Sequence, residues 1–251
     1  MLSEIFYWVL NISIIGSIAG LVVLSLRKIK ALPRFLVYVL WVLPLIRLWL
    51  PFGIASKYSL LSLISRFTTK TVVIREELPQ LTTTNSIMAA NSYFPIEYKT
   101  NLLKSVFNVA SIVWIIICCA AILASVLLYF FTKSELKAAE PIKGNIYKSD
   151  RITAPAVYGI IHPRIIIPAM IADDDIDYII LHEQVHIKRR DNLFRVAAVI
   201  TACVHWFNPL IWILLKYFFT DMELACDAKV LKCLDEKQTG EYARTILACA
   251  S

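Results

Sequence analysis

The residues best equipped for chemistry are His182, Glu183 and His186, set in the run Leu181-His182-Glu183-Gln184-Val185-His186. On an α-helix, positions four apart share a face, so the two imidazoles can present nitrogens to a single tetrahedral ion. Glu183 would stand beside that ion rather than on it, where a carboxylate can take a proton from a water the metal acidifies. The proton can then pass to the leaving amine of a peptide. The implied chemistry is zinc-assisted amide hydrolysis. The bland alternative is a pair of packed histidines with a solvated Glu between them, and a third ligand would weigh against it.

That ligand should be acidic, downstream and on another helix. The segment Asp221-Met222-Glu223-Leu224-Ala225-Cys226-Asp227 offers it. Glu223 and Asp227 lie one helical turn apart, so Glu223 can bind zinc while Asp227 accepts the outer N–H of a ligating histidine. Asp221 competes for either role. Alone, these acids would read as an ordinary solvated helix face.

Taken together, His182-Glu183-x-x-His186, His205-Trp206-Phe207-Asn208-Pro209, and Glu223-x-x-x-Asp227 beginning 41 residues after His182 resemble the membrane metallopeptidase domain of the BlaR/MecR antibiotic-sensing signal transducers. The resemblance extends over the whole chain, because that family also places three membrane spans ahead of its zinc domain. It implies a gluzincin-like fold with zinc on His182, His186 and Glu223. Glu183 would be the catalytic base, and Asp227 the acid behind a ligating histidine. It further implies a role in antibiotic-resistance signalling, with the protein cleaving itself, a cytoplasmic transcriptional repressor, or both.

Something must hold these groups in place, and composition points to a membrane bundle. The chain is 58% hydrophobic and 18% charged, with a mean hydropathy of +0.65. Those values lie outside the usual soluble range. Ile5 to Leu26 is long enough to cross a bilayer and lacks a cleavage signal, so it reads as a retained helix. The basic residues Arg27, Lys28, Lys30 and Arg34 follow it and belong in the cytoplasm. A second span is expected over Phe35 to Ala55, with Pro44 inside it. Its Arg47 is either a coupling element or a snorkelling side chain.

Residues 56–105 then form an external segment, and Val106 to Phe131 is a third span leading to Lys133, Lys137, Lys143 and Lys148. Both basic segments fall on one side, so the peptidase site should face the cytoplasm of a multi-pass membrane protein. The net charge of +7 fits loops against lipid headgroups. It is poor support for nucleic-acid binding, because basic and aromatic residues do not interleave.

Residues 134–251 should form the zinc domain. Asn145 to Ile152, Ala156 to Ile161 and Arg164 to Ile167 read as strands of a small sheet with His162-Pro163 in a turn. Such an edge either pairs with a peptide substrate or is a structural hairpin. The acids Asp173 to Asp175 are expected to cap the motif helix.

Leu193 to Phe219 is apolar enough for a fourth span, yet a straight crossing would carry Glu223 about 40 Å from the histidines. Asn208-Pro209, a helix cap followed by proline at the first helical position, resolves the conflict. The sequence therefore predicts a membrane-associated hairpin over 191–225, with arms of nearly equal length from Asp191 to Phe207 and from Pro209 to Ala225. His205 would lie at its tip as a structural residue. Arg189, Arg190 and Asp191 would cap helices and meet headgroups, or support the site through an ion pair. The six cysteines, Cys226 among them, are assigned to packing.

Glu241 to Ala250 reads as an amphipathic helix cut short at Ser251, with no penicillin-binding module after it. The chain is thus expected to be a fragment, or to depend on a separate sensor or a homodimer. The fold class expected is mainly α: an integral membrane helical bundle, residues 1–133, joined to a gluzincin-like zinc peptidase domain carrying a small β-sheet. The function expected is a zinc metalloendopeptidase acting on peptide or protein in signal transduction. The alternatives are a housekeeping protease of the HtpX or CAAX-processing type and a non-catalytic receptor subunit.

Overall fold

A computed structural model of the chain describes residues 1–50 and 101–250. Most of the expected external segment and the last residues of the expected second span lie outside the described residues.

The fold is mainly helical, with one small mixed sheet. Helix α1, Leu2–Leu26, is apolar all round and is followed by α2, Arg34–Leu40, and α3, Val42–Trp49. The span expected from Phe35 is broken between these two helices. Proline has no N–H, so Pro44 cannot serve the Leu40 carbonyl, and Trp41 N instead bonds Tyr38 O in a tight turn at 3.2 Å. Helix α4, Asn101–Glu135, begins five residues before the expected third span.

Two helices among the described residues are long and apolar enough to cross a membrane, Leu2–Leu26 and Ser105–Glu135. Protein leaves much of the second uncovered: Ile116 is 60% exposed and Leu128 67%. A contiguous apolar face of that size is suited to an apolar medium.

After α4 come β1, Glu140–Lys143; β2, Ile146–Ser149; β3, Ala156–Tyr158; and β4, Arg164–Pro168. Their order is β1-β2-β4-β3. The outer pairs are antiparallel and β2 runs parallel to β4. The expected turn at His162-Pro163 joins β3 to β4. It needs Gly159, whose φ is +99° and whose position leaves no room for a Cβ beneath the His162 carbonyl. The first expected strand ends at Ser149 rather than Ile152, and β1 adds a strand not foreseen. Ile165 and Ile167 of β4 pack on Ile179, which seats the sheet against the motif helix.

The motif helix is α5, Asp173–Arg189, followed by α6, Asp191–Val204; α7, Pro209–Leu231; and α8, Glu236–Ala250. Ala172, not an Asp, occupies the cap of α5, so the acids sit in its first turn. Arg190 alone joins α5 to α6, in the left-handed region at φ 57°. This turn folds α6 back sharply, which puts Asp191 beside His186.

Helices α6 and α7 form the expected hairpin, with unequal arms: the first stops at Val204 and the second runs on to Leu231. Asn208 caps α7 by accepting from Leu210 N at 3.0 Å. Its amide also donates to Ser13 Oγ and Ser17 Oγ of α1, each at 2.8 Å. At the other end Arg27 Nη2 meets Asp221 Oδ1 at 2.9 Å. Ser13 to Arg27 and Asn208 to Asp221 each cover roughly 20 Å of helix, so α7 runs beside the C-terminal half of α1 in register. Trp114 Nε1 of α4 donates to Val204 O at 2.9 Å. The hairpin tip is therefore held between the two long apolar helices rather than inside the sheet domain.

Asn208→Ala removes a helix cap and two hydrogen bonds at once. It is expected to cost about 1–3 kcal/mol of stability. The measurement is thermal unfolding of the detergent-solubilised chain, in which Asn208→Ser, able to cap, should recover part of the loss.

Candidate metal centre

Helix α5 puts His182, Glu183 and His186 on the face turned to α7, and α7 brings Glu223 up to them. His182 Nε2 and His186 Nε2 are 3.1 Å apart. Glu223 Oε2 lies 3.1 Å from the His186 nitrogen and 3.4 Å from that of His182. Tetrahedral zinc with nitrogen and oxygen bonds near 2.0–2.1 Å separates its ligand atoms by about 3.3 Å. The triangle formed by these three atoms matches that spacing.

The far side of each ring explains why the near side is free to bind. His186 Nδ1 donates to Asp191 Oδ2 at 2.6 Å, and Asp191 is fully buried. His182 Nδ1 donates to Tyr242 Oη at 2.7 Å and lies 3.2 Å from Asp227 Oδ1. The Tyr242 hydroxyl in turn donates to Asp227 Oδ1 at 2.7 Å. With both Nδ1 atoms protonated, both Nε2 atoms keep a lone pair directed into the triangle. Two lone pairs facing each other at that distance repel unless a cation lies between them, so the donor set fits a divalent metal.

Electrostatics agree. Burial alone would lower both histidines, but hydrogen bonding reverses it: Asp227 leads in holding His182 far above the usual imidazole range, and Asp191 leads in taking His186 to about 11. Burial would raise Glu223, yet its bonds to His182 and His186 hold it well below the usual carboxylate range. Without metal, the cluster holds protons where the metal would sit.

Glu183 lines the same cleft as His182, His186, Arg195 and Glu223, in a cavity of about 280 Å³ walled by Ala154, Ala156 and Ile246. Burial pushes its carboxyl up, while His186 and His182 pull the other way. It is not part of the triangle. Asp221 is resolved as a competitor: it points away, bound by Arg27 and by Trp41 Nε1 at 2.8 Å. Cys226 is more than packing. The ligating atoms of His182, His186 and Cys226 lie within 4.8 Å of one another. Its thiol, however, donates to His182 O at 3.4 Å, so Glu223 makes the tighter set. His205 is buried at the hairpin tip, about 20 Å along α6 from Asp191, too far to join them.

Two residues here, Tyr242 and Arg195, are unannounced in the sequence, and a third, Asp191, carried two readings. Asp191, expected either to cap a helix and meet headgroups or to support the site through an ion pair, does the latter through His186 and Arg189. Tyr242 lies 60 residues from His182, and nothing local announces it. Arg195 Nη2 donates to Glu223 Oε1 at 2.5 Å, fixing the carboxylate so that its other oxygen faces the histidines.

The profile of one family, the BlaR1 peptidase M56 family, matches residues 7–251. This chain belongs to that family. Among its relatives in the BlaR1 peptidase M56 family, the chain is 36% identical over 127 residues to the regulatory protein BlaR1 of Bacillus licheniformis, covering 49% of this chain and 21% of that protein. It is 35% identical over 106 residues to the methicillin resistance mecR1 protein of Staphylococcus aureus strain Mu50, covering 41% and 18%. With BlaR1 of Staphylococcus aureus it shares 26% over 185 residues, 62% of this chain and 32% of that protein. The matches thus span between about a fifth and a third of these BlaR1-family relatives.

Proposed function

We propose that this protein is a membrane-embedded zinc endopeptidase of a signal-transduction system, cleaving itself, a cytoplasmic repressor protein, or both. The observation that carries the reading is the triangle of His182 Nε2, His186 Nε2 and Glu223 Oε2, with Glu183 uncommitted in the same cleft. Membership of a peptidase family and relatives named as regulatory and resistance proteins support the signalling role.

His182, His186 and Glu223 would hold the metal, which when bound supplies acidification of water and polarisation of a peptide carbonyl. The protein's own groups do the rest. Glu183 takes the proton of the attacking water and returns it to the leaving amine, a task suited to a carboxyl whose affinity for protons burial has raised. Arg195 holds Glu223 and adds positive charge to the cleft where the carbonyl oxygen becomes anionic.

The substrate's main chain lies along Ala154 to Ala156, at the start of edge strand β3. Further along, Asn192 Nδ2 already occupies the carbonyls of Val157 and Gly159, at 3.1 and 3.0 Å. The basic residues after α1 are at the same end of the bundle as the cluster, since Arg27 is bound to Asp221. The positive-inside rule supports a cytoplasmic setting for that end, and with it for the site.

The test is chelation of the purified full chain in detergent: cleavage of a peptide mixture should cease and return with Zn²⁺. Activity that persists after verified metal removal would sink the proposal. A second measurement follows from the raised histidine pKa values. Metal and protons compete for the same nitrogens, so zinc binding should release protons into a weakly buffered indicator solution, and affinity should fall as pH falls.

A further inference from the structure

The metal centre is tied to a helix that contributes no ligand. Tyr38 and Trp41, three positions apart on one face of α2 and its end, each donate a hydrogen bond to a buried carboxylate. The Tyr38 hydroxyl donates to Asp191 Oδ1 at 3.0 Å, while Asp191 Oδ2 accepts from His186 Nδ1 at 2.6 Å. Trp41 Nε1 donates to Asp221 Oδ2 at 2.8 Å, and Asp221 lies two positions before Glu223 on α7. Asp191 and Asp221 are 0% and 1% exposed, so neither can exchange these partners for water without opening the fold.

A second layer of charge fixes both carboxylates. Arg189 reaches Asp191 Oδ2 at 2.8 Å and lies over the Tyr38 ring at 4.6 Å, and it also donates to the Met222 carbonyl at 3.1 Å, next to Glu223. Arg27 grips Asp221 and covers the Tyr217 ring at 4.5 Å. One oxygen of each aspartate is thus set from α2; Asp191 is hydrogen-bonded to one ligand of the triangle, and Asp221 fixes the turn of α7 that carries another.

We infer that Tyr38 and Trp41 are positioning residues of the metal centre, through which helix α2 sets the placement of His186 and Glu223 together. The inference rests on the metallopeptidase reading above and says what positions the ligands of that site.

The experiment uses the full chain in detergent with Tyr38→Phe, Trp41→Phe and the double variant. Phe at 38 retains the stack on Phe218, whose ring centroid is 5.9 Å away, and loses only the hydroxyl. Two quantities are read: the rate at which Zn²⁺ is lost to a chelator, and the difference between zinc-loaded and zinc-free melting temperatures. Tyr38→Phe should lose zinc about tenfold faster, by analogy with other groups that support ligands from behind. Trp41→Phe should be milder, and the double variant the fastest.

A smaller difference between the two melting temperatures is the expected result, because the bond matters most when metal is bound. Equal falls in both temperatures, or zinc loss at the wild-type rate in both single variants, overturn the inference. His186→Ala separates the two failures. If it still binds Zn²⁺ like wild type, the metallopeptidase reading falls and takes this one with it. If it loses Zn²⁺ while Tyr38→Phe and Trp41→Phe behave as wild type, only the role of α2 is refuted.

Discussion

Glu183→Gln is expected to lower peptide cleavage by about 10²–10⁴-fold while zinc content stays at the wild-type level. The substitution keeps the side chain's volume and hydrogen-bonding reach and removes its capacity to carry a proton. The three atoms that define the metal triangle do not include Glu183, so the site should load normally. Its burial matters here, since burial raises the affinity of this carboxyl for protons while the charge of the neighbouring cluster restrains the rise, so that it can both accept and surrender a proton. Turnover on a peptide substrate, read beside metal analysis of the same preparation, checks the prediction. Equal loss of zinc and activity would make Glu183 a ligand, and unchanged turnover would remove this cleft as the place of hydrolysis.

The parts of the site legible in the sequence were those set by helical spacing. His182, Glu183 and His186 are ordered by a single helix, and the Glu223-to-Asp227 step by another. The hairpin was legible because a metal shared by the two motifs would have to reach both helices and because Asn208-Pro209 has unambiguous capping chemistry. Its tip could be located but its surroundings could not: that Asn208 donates to Ser13 and Ser17 depends on how α1 packs nearly 200 residues earlier in the chain.

The helix expected from Phe35 is interrupted at Trp41 for a local reason present in the sequence, Pro44, which cannot supply the N–H a continuous helix needs. Tyr242, Arg195 and Tyr38 reach the site through tertiary packing, which no periodicity reports. Asp191 was legible only as one of two readings, a cap or a support for the site. Its acid was visible, but the left-handed turn at Arg190 that delivers it to His186 requires a positive φ that sequence does not announce for arginine.

That turn makes Asp191 the most sensitive position behind the metal. Asp191→Ala would strand Arg189, whose side chain is 8% exposed, without its carboxylate partner, at a cost of about 3–5 kcal/mol. Asp191→Asn is the cleaner substitution. It keeps the volume and an acceptor for His186, yet removes the charge that makes His186 a strong donor, and metal affinity should fall about 10–100-fold. The sign of the pH effect follows from the same charge. Asp191 is the leading cause that lifts His186 to about 11, so the wild-type ring is the one that protons contest more strongly. Lowering pH therefore weakens the wild type more than the variant, and the gap between their zinc affinities should be widest in alkali and narrow toward acid. A gap independent of pH would mean that Asp191 orients the imidazole without altering its basicity, which chelator competition at several pH values would reveal.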